Sequence, residues 1–586
     1  MKTTSFLFIL FFFTKLLCAA QSQVIEAVIQ DSRSNLLQVS FSEPVTVSNA
    51  EGFRLVGGVA RIKNLIGGSG SSTLVFSLTD FVLPDDDFSL LYWQEIGDAY
   101  SISGRLTSFE DFPVLNQATQ YHGSGNIFYV SASGSDAFNG TSPQASLRSP
   151  QKALSLANPG DFVLLKRGDT WNEVNQLSFP KSGHPDNYIV LAAYGQGKQP
   201  LLVGSLSNEA ILINHSFVQV DNMHVLAKDN LFGILNTNSS RNVIISNSTV
   251  EAVDRSPSNG RTDHAIYYAT SGVTKPIIIN NTVSGARWGI SSSGYPYSET
   301  NGVPDHQVYG GLLENNLVLS TADESFSGND GLQMARGDYH NIVVRKNNVT
   351  QWADDGVDMY LGFNILFEYN TLYKPKNSAA NAIKCGGVAR GGNEGPVGRK
   401  SNGIVVRYNT VFDIKLGTGN HAINTNDGGQ ALIYGNLAYN VSGSGVQVSG
   451  DISRFDIFNN TFINCNYGIS CWTTGSNAGE IYVSNNILEG TTNDINANTR
   501  GTGQFMKGQN NILINNKTGG AYKGSNDIST SVSNLFLNPE LNDFRVKENA
   551  PSIDHGADIQ KYYKDILGNY IFKSPDAGAV EYCLSQ

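Results

Sequence analysis

Four aspartates and a lysine fall within a stretch where a short pattern recurs: polar, small, aliphatic, polar, apolar. It reads Asp330-Gly-Leu-Gln333-Met, Asp355-Gly-Val-Asp358-Met, Asn381-Ala-Ile-Lys384-Cys and His421-Ala-Ile-Asn424-Thr, with His264-Ala-Ile-Tyr267-Tyr and Trp288-Gly-Ile-Ser291-Ser before them. If each copy is a strand, side chains alternate between its two faces. Leu332, Val357, Ile383 and Ile423 then point to a core, and Gln333, Asp358, Lys384 and Asn424 point outward. If the strands also stack in order, equivalent positions lie one strand spacing apart, about 4.8 Å. Asp330, Asp354, Asp355 and Asp358 are then expected within two adjacent rungs, with Lys384 one rung beyond Asp358.

Four carboxylates brought this close repel one another unless a cation lies among them. Calcium suits such a set, because it accepts six to eight oxygen ligands in irregular geometry. A lone aspartate is more simply a solvated turn residue; four converging beside a lysine favour a metal. Cationic partners for an anionic ligand are available in Arg390, Arg399, Lys400 and Arg407, with Arg399 and Lys400 in a glycine-rich insertion, 386–403. His421 could touch a ligand or cap its own turn.

The elements that must position these groups are β-strands. Glycine is abundant, with 60 residues, and short Val- and Ile-rich runs alternate with Gly, Asn, Ser and Asp turns, the pattern of an all-β chain. Asparagine followed by an apolar stretch recurs at Asn247, Asn281, Asn316, Asn348, Asn370, Asn409, Asn436, Asn460, Asn486 and Asn511. The shortest intervals, 22 to 27 residues, fit one coil of a β-solenoid. Stacked asparagines in a turn can hydrogen-bond along the axis, so this ladder needs no catalytic role. The segment around Ala153 and Leu154 reads as a short helix covering the first coil, whose open end would expose unpaired strand edges.

Residues 24–122 differ. Alternating segments such as Leu37–Phe41 and Leu74–Leu78 suggest a separate sandwich. Three parts are therefore expected: a signal peptide over 1–20, a small β-sandwich over 21–122 and the solenoid over 123–586. The leader has Lys2, the apolar run Phe6–Phe13 and small residues before Gln21, which predicts a secreted protein with no membrane insertion. A net charge of −11 argues against nucleic acid as the general partner. The four cysteines beyond the leader, Cys385, Cys465, Cys471 and Cys583, are too few to hold so long a fold. A Cys465–Cys471 bond and two free thiols both remain open.

Asp330, the Asp354-Asp355-Gly-Val-Asp358 motif and Lys384 within Asn-Ala-Ile-Lys-Cys-Gly-Gly together resemble the site of the family 9 polysaccharide lyases, which are right-handed parallel β-helix pectate lyases. The likeness is specific over about sixty residues and elsewhere concerns the fold; residues 24–122 loosely resemble the immunoglobulin-like modules of bacterial extracellular enzymes. The resemblance implies a calcium ion held by the four aspartates and Lys384 as the base in β-elimination at a uronic acid. It makes an acidic polysaccharide the partner, bound with help from Arg390, Arg399, Lys400, His421, Gln333 and Asn424, and the enzyme is expected to act as a monomer. Three rivals remain: a β-helix glycoside hydrolase working through paired carboxylates, a uronate C5-epimerase, and a non-catalytic glycan-binding solenoid whose aspartates hold a structural calcium.

Overall fold

The computed structural model describes residues 22–582 apart from interruptions, the longest being 118–124, 254–263, 320–328, 387–399 and 498–505. Residues 1–20, where a signal peptide was expected, and Arg390, Arg399 and Cys583 lie outside the described residues. The chain divides into two compact units between Ser124 and Gly125.

The first unit is built from antiparallel strands, with Leu36–Thr46 paired to both Val24–Ile29 and Ser71–Leu78, and Phe88–Tyr92 paired to Phe53–Val56 and Phe109–Asn116. Every second residue of Leu36–Thr46 is buried over most of its length, and Phe41, Phe53, Phe76 and Tyr92 meet in a core of this unit's own.

The second unit is an all-β right-handed parallel β-helix. One continuous parallel sheet system runs from Ile127–Val130 to Tyr522–Ser525, each strand pairing with its counterpart in the next coil. Core side chains from Val130 to Leu513 form one apolar column down its interior. The helix Pro150–Leu156 covers the first coil with Pro150, Ala153 and Leu154 buried, and Ser149 Oγ caps its N-terminus by accepting from Lys152 N–H.

An asparagine ladder fixes one corner. Each rung's backbone N–H donates to the next side-chain oxygen at 3.0 Å, from Asn281 to Asn316, Asn347, Asn370, Asn409, Asn436, Asn460, Asn486 and Asn511. Ser248 heads the ladder and Asp527 ends it. Two rungs differ from the sequence expectation: Ser248 stands where Asn247 was expected, and Asn347 where Asn348 was. The residue before a rung is turned into the left-handed region, at Asn247, Asn280, Asn315, Lys346 and Asn459 among others. Asparagine is at home in either place, so an Asn-Asn pair conceals which member is the rung. Cys385, Cys465 and Cys471 are buried free thiols.

Candidate functional site

The two coils that carry the aspartates begin with Leu332–Arg345 and Asp355–Glu368, followed by Asn381–Lys384. Their register stacks Gln333 on Asp358, Asp358 on Lys384, and Lys384 on Asn424, which is the outward column the alternation predicts. Leu332, Val357, Ile383 and Ile423 are buried beneath it. The small position of the motif is set by close approach: a Cβ on Gly331 would stand 2.3 Å from a Val349 methyl and 2.6 Å from the Gly356 carbonyl oxygen. Glycine there lets the coils pack directly under the acidic edge.

Asp330, Asp354 and Asp355 each offer a carboxylate oxygen within 4.8 Å of the others. Asp330 and Asp355 are 1 % exposed. Asp330 Oδ1 accepts from Asp355 N–H at 3.0 Å, and Oδ2 from Gln333 Nε2 at 2.6 Å. Asp354 is held by its backbone N–H on the Asn329 carbonyl. Asp355 Oδ1 accepts from Asn381 Nδ2 at 2.8 Å and Oδ2 from Lys384 Nζ at 3.0 Å. The fourth aspartate is turned aside: Asp358 Oδ1 meets Lys384 Nζ at 3.0 Å as an ion pair. The structure thus makes a group of three carboxylates and a lysine clamped between the third and the fourth.

The electrostatics follow from that packing. Burial drives Asp330 well above the usual carboxylate range, and the charges of Asp358, Asp355 and Asp354 push it further. Burial raises Asp358 to about 7 against the opposing pull of Lys384. Burial disfavours charge on Lys384, but Asp358 and Asp355 outweigh it and hold the ammonium well above its ordinary value. The side chain of Lys384 is 17 % exposed, so it is mostly covered and open to solvent only in part. The Tyr360 ring centroid lies 4.9 Å from Nζ. An all-oxygen donor set with surplus negative charge fits calcium, and Asp358, the ion-pair partner of Lys384, borders it. Asp330, Asp354, Asp355 and Asp358 are the residues that would hold such an ion.

The other expected contacts divide. Gln333 and Asn424 stand on either side of the Asp358–Lys384 pair in the outward column. Lys400 is half-buried just before Asn402–Arg407, next to Ser401, whose hydroxyl donates to the Tyr360 carbonyl. His421 is 8 % exposed and its Nδ1 accepts from the Ser444 N–H at 2.9 Å. This makes it a turn cap, with burial lowering its pKa to about 4. Arg407 is not available to a ligand at the acidic edge: it stacks in register on Glu368, on the next sheet, and pairs with that carboxylate at 2.7 Å.

Two neighbours were not singled out from sequence. Tyr360 was legible in principle, since it follows Asp358 by two residues and must share its face. Arg287 was not. Its Nε donates to Asn329 Oδ1 at 3.0 Å, one coil before Asp354, across a long insertion.

The family described as "Right handed beta helix region" matches residues 325–488, which include the site. No curated protein matches the chain. Among solved structures, pectate lyase Pel9A is 15 % identical, with 78 % of this chain and 96 % of that chain covered and a TM-score of 0.38. An alginate lyase from Paenibacillus sp. str. FPU-7 is 14 % identical, covering 53 % and 96 %, TM-score 0.39. A GH136 lacto-N-biosidase from Eubacterium ramulus is 16 % identical, covering 70 % and 68 %, TM-score 0.38.

Proposed function

We propose that this chain is a calcium-dependent lyase that cleaves a uronic-acid polymer by β-elimination, with Lys384 as the base. The supporting observation is the placement of Lys384 Nζ, 3.0 Å from both Asp355 and Asp358, where the carboxylates of Asp330 and Asp354 converge with that of Asp355. Calcium held there would withdraw charge from the sugar carboxylate, acidify the C5 proton and offset the aspartates that keep Lys384 protonated.

The remaining work falls to the chain. Asp355 and Asp358 aim the Lys384 side chain, and the buried stem limits its motion. Neutral Lys384 takes the C5 proton; the electron pair left behind forms the C4–C5 double bond as the C4–O bond breaks, and solvent protonates the leaving oxygen. Gln333 and Asn424, on either side in the same column, would hydrogen-bond the sugar. Arg390 and Arg399, with Lys400, would meet further carboxylates. Because the base must lose a proton that two carboxylates hold, activity is expected to rise toward alkaline pH. The leader fits export to the exterior, where such polymers occur.

The test is the ultraviolet absorbance of an unsaturated uronate, followed during incubation with polygalacturonate and with alginate, in calcium and in chelator. A calcium-dependent rise that Lys384→Ala abolishes is expected. New reducing ends without that absorbance would show hydrolysis and overturn the elimination reading, and undiminished activity in chelator would overturn the metal's part in it.

A further inference from the structure

Past Lys384 the sheet of the site continues toward the C-terminus with a different chemistry. The register carries the outward column from Lys384 to Asn424, Gln447, Ser470 and Asn496. The charged part of the column therefore ends at Lys384, and amides and a hydroxyl follow. Gln447 and Asn496 are half-buried. Side chains alternate along a strand, so a second outward column lies two residues further along each strand. In it Ser449 stacks on Trp472.

Trp472 is 37 % exposed, and its neighbours explain why it stays so. Elsewhere rings in adjacent coils lie on one another. Phe412 stacks on Tyr373 and Tyr439 at 4.9 and 5.3 Å, and His340 on Tyr309 and Phe363 at 4.5 and 4.8 Å. Rings arranged in that way spend their faces on each other. Trp472 joins no such stack among the described residues, and its neighbour in the preceding coil is Ser449, whose hydroxyl donates to the Thr425 carbonyl at 3.3 Å. Ser470, two residues earlier on the same strand, is buried and shares a hydrogen bond with the Ser444 hydroxyl at 2.7 Å. The indole is thus flanked by short side chains engaged with the protein itself, and it keeps apolar area in water that burial would stabilise. Single exposed hydrophobics are common; position sets this one apart, because it shares the outward face of the sheet that carries Asp358 and Lys384.

Lys384 and Ser470 are three rungs apart, about 14 Å at the strand spacing and roughly the length of three linked pyranose units. Trp472 stands on the Ser470 strand. A polymer with its scissile unit at Lys384, laid along the helix axis, therefore brings a unit about three rings onward to the indole. A pyranose has a face of C–H groups, an apolar surface that packs on an aromatic ring, while its hydroxyls need donors and acceptors beside it. Gln447 and Asn496, one coil before and one coil after Ser470, carry both. We propose that Trp472 forms a distal sugar subsite, stacking the polymer unit about three rings from the cleaved uronate on the C-terminal side of Lys384. This inference rests on the lyase reading of the acidic edge. The subsite adds affinity for long chains without touching the reacting atoms.

The experiment compares wild type, Trp472→Ala and Trp472→Phe on oligogalacturonates of three and of eight units in calcium, or on oligomannuronates of those lengths if alginate is the polymer cleaved. A trimer cut at Lys384 does not reach the indole, whereas an octamer does. For Trp472→Ala we expect KM on the octamer to rise about fivefold or more with kcat within about threefold, and KM on the trimer to stay within about twofold. Trp472→Phe should keep most of the affinity for the octamer. A second measurement follows acrylamide quenching of tryptophan fluorescence in the full chain carrying Lys384→Ala. Trp171 and Trp352 are buried and Trp288 packs against Arg287, so the octamer should protect the quenchable part of the emission, and adding Trp472→Phe should remove that protection. An unchanged octamer KM in a folded Trp472→Ala variant, or no protection by the octamer, would overturn the inference while leaving the lyase intact. An equal rise in KM on both lengths, or a fall in kcat alone with a lowered melting midpoint, would mark Trp472 as only a support for its coil and equally overturn it. Absence of elimination by wild type on any uronate polymer would instead remove the lyase reading on which it stands.

Discussion

The rung asparagines offer a sharp test of the coil register, because Asn347 and Asn348 are neighbours of the same type with opposite roles. Asn347 Oδ1 accepts from the N–H and from Nδ2 of Asn316, at 3.0 and 2.9 Å, and its own Nδ2 donates to the Leu313 carbonyl and to Asn370 Oδ1. Asn316 and Asn370 are themselves buried. Asn347→Ala takes the acceptor from the buried Asn316 N–H and the donor from the Leu313 carbonyl. Each such loss costs about 1–3 kcal/mol where water cannot enter, so about 3 kcal/mol of destabilisation is expected. Asn348 begins the short strand Asn348–Thr350, and its Oδ1 is buried without a hydrogen bond. Asn348→Ala removes a desolvated oxygen that gains nothing in return and should change stability by less than about 1 kcal/mol in either direction. Urea denaturation midpoints of the two variants, read beside wild type under one set of conditions, give the comparison; a long coil array need not unfold in a single step, so the ordering of midpoints is the primary observable. Equal losses, or a larger loss for Asn348→Ala, would refute the assignment of the rung and with it the local register that places Asp354 and Asp355.

Calcium should raise the melting midpoint of the wild type, by up to about 2.7 kcal/mol of stability at a hundredfold excess over Kd, and Asp355→Asn should remove most of the effect; differential scanning calorimetry without substrate reads this directly, and equal calcium stabilisation of both proteins would move the ion elsewhere. The fully buried Arg345 pairs with Glu314 at 2.6 Å, so Arg345→Ala should cost about 3–5 kcal/mol by leaving that carboxylate uncompensated. Adding Glu314→Gln should recover a substantial part of this, and a strictly additive double variant would contradict the coupling. In the C-terminal segment burial raises Asp576 to about 6 and Glu581 to about 8. A carboxyl raised in the folded state stabilises most when protonated, so this contribution is complete below the unfolded values near 4 and is lost as pH rises through about 6 and then about 8. Glu581→Gln should therefore flatten the decline in unfolding midpoint between pH 6 and 9, and parallel profiles would show that Glu581 does not titrate there.

The sequence by itself determined the periodic part of this protein. Two-residue alternation divides core from surface in any strand, and a recurring five-residue pattern aligns coils without knowledge of the loops between them; hence the stack of Gln333, Asp358, Lys384 and Asn424 was legible. The turn asparagines were legible as a ladder, but not their frame, because a residue in the left-handed region and a rung both favour asparagine, and only the hydrogen bonds from Asn316 to Asn347 and from Asn347 to Asn370 distinguish them. Tertiary structure alone decided the partners. Arg407 resembles a cation for a ligand until the coils stack it on Glu368, and His421 becomes a cap only when the next coil brings up the Ser444 N–H. It also separated Asp358 from the other three aspartates, by giving it Lys384 to face, and brought Arg287 to Asn329 across 42 residues of chain. The reason is one of range: alternation is written in each strand, whereas the partner of a side chain belongs to a neighbouring coil, and insertions of unequal length between coils hide which residue that is.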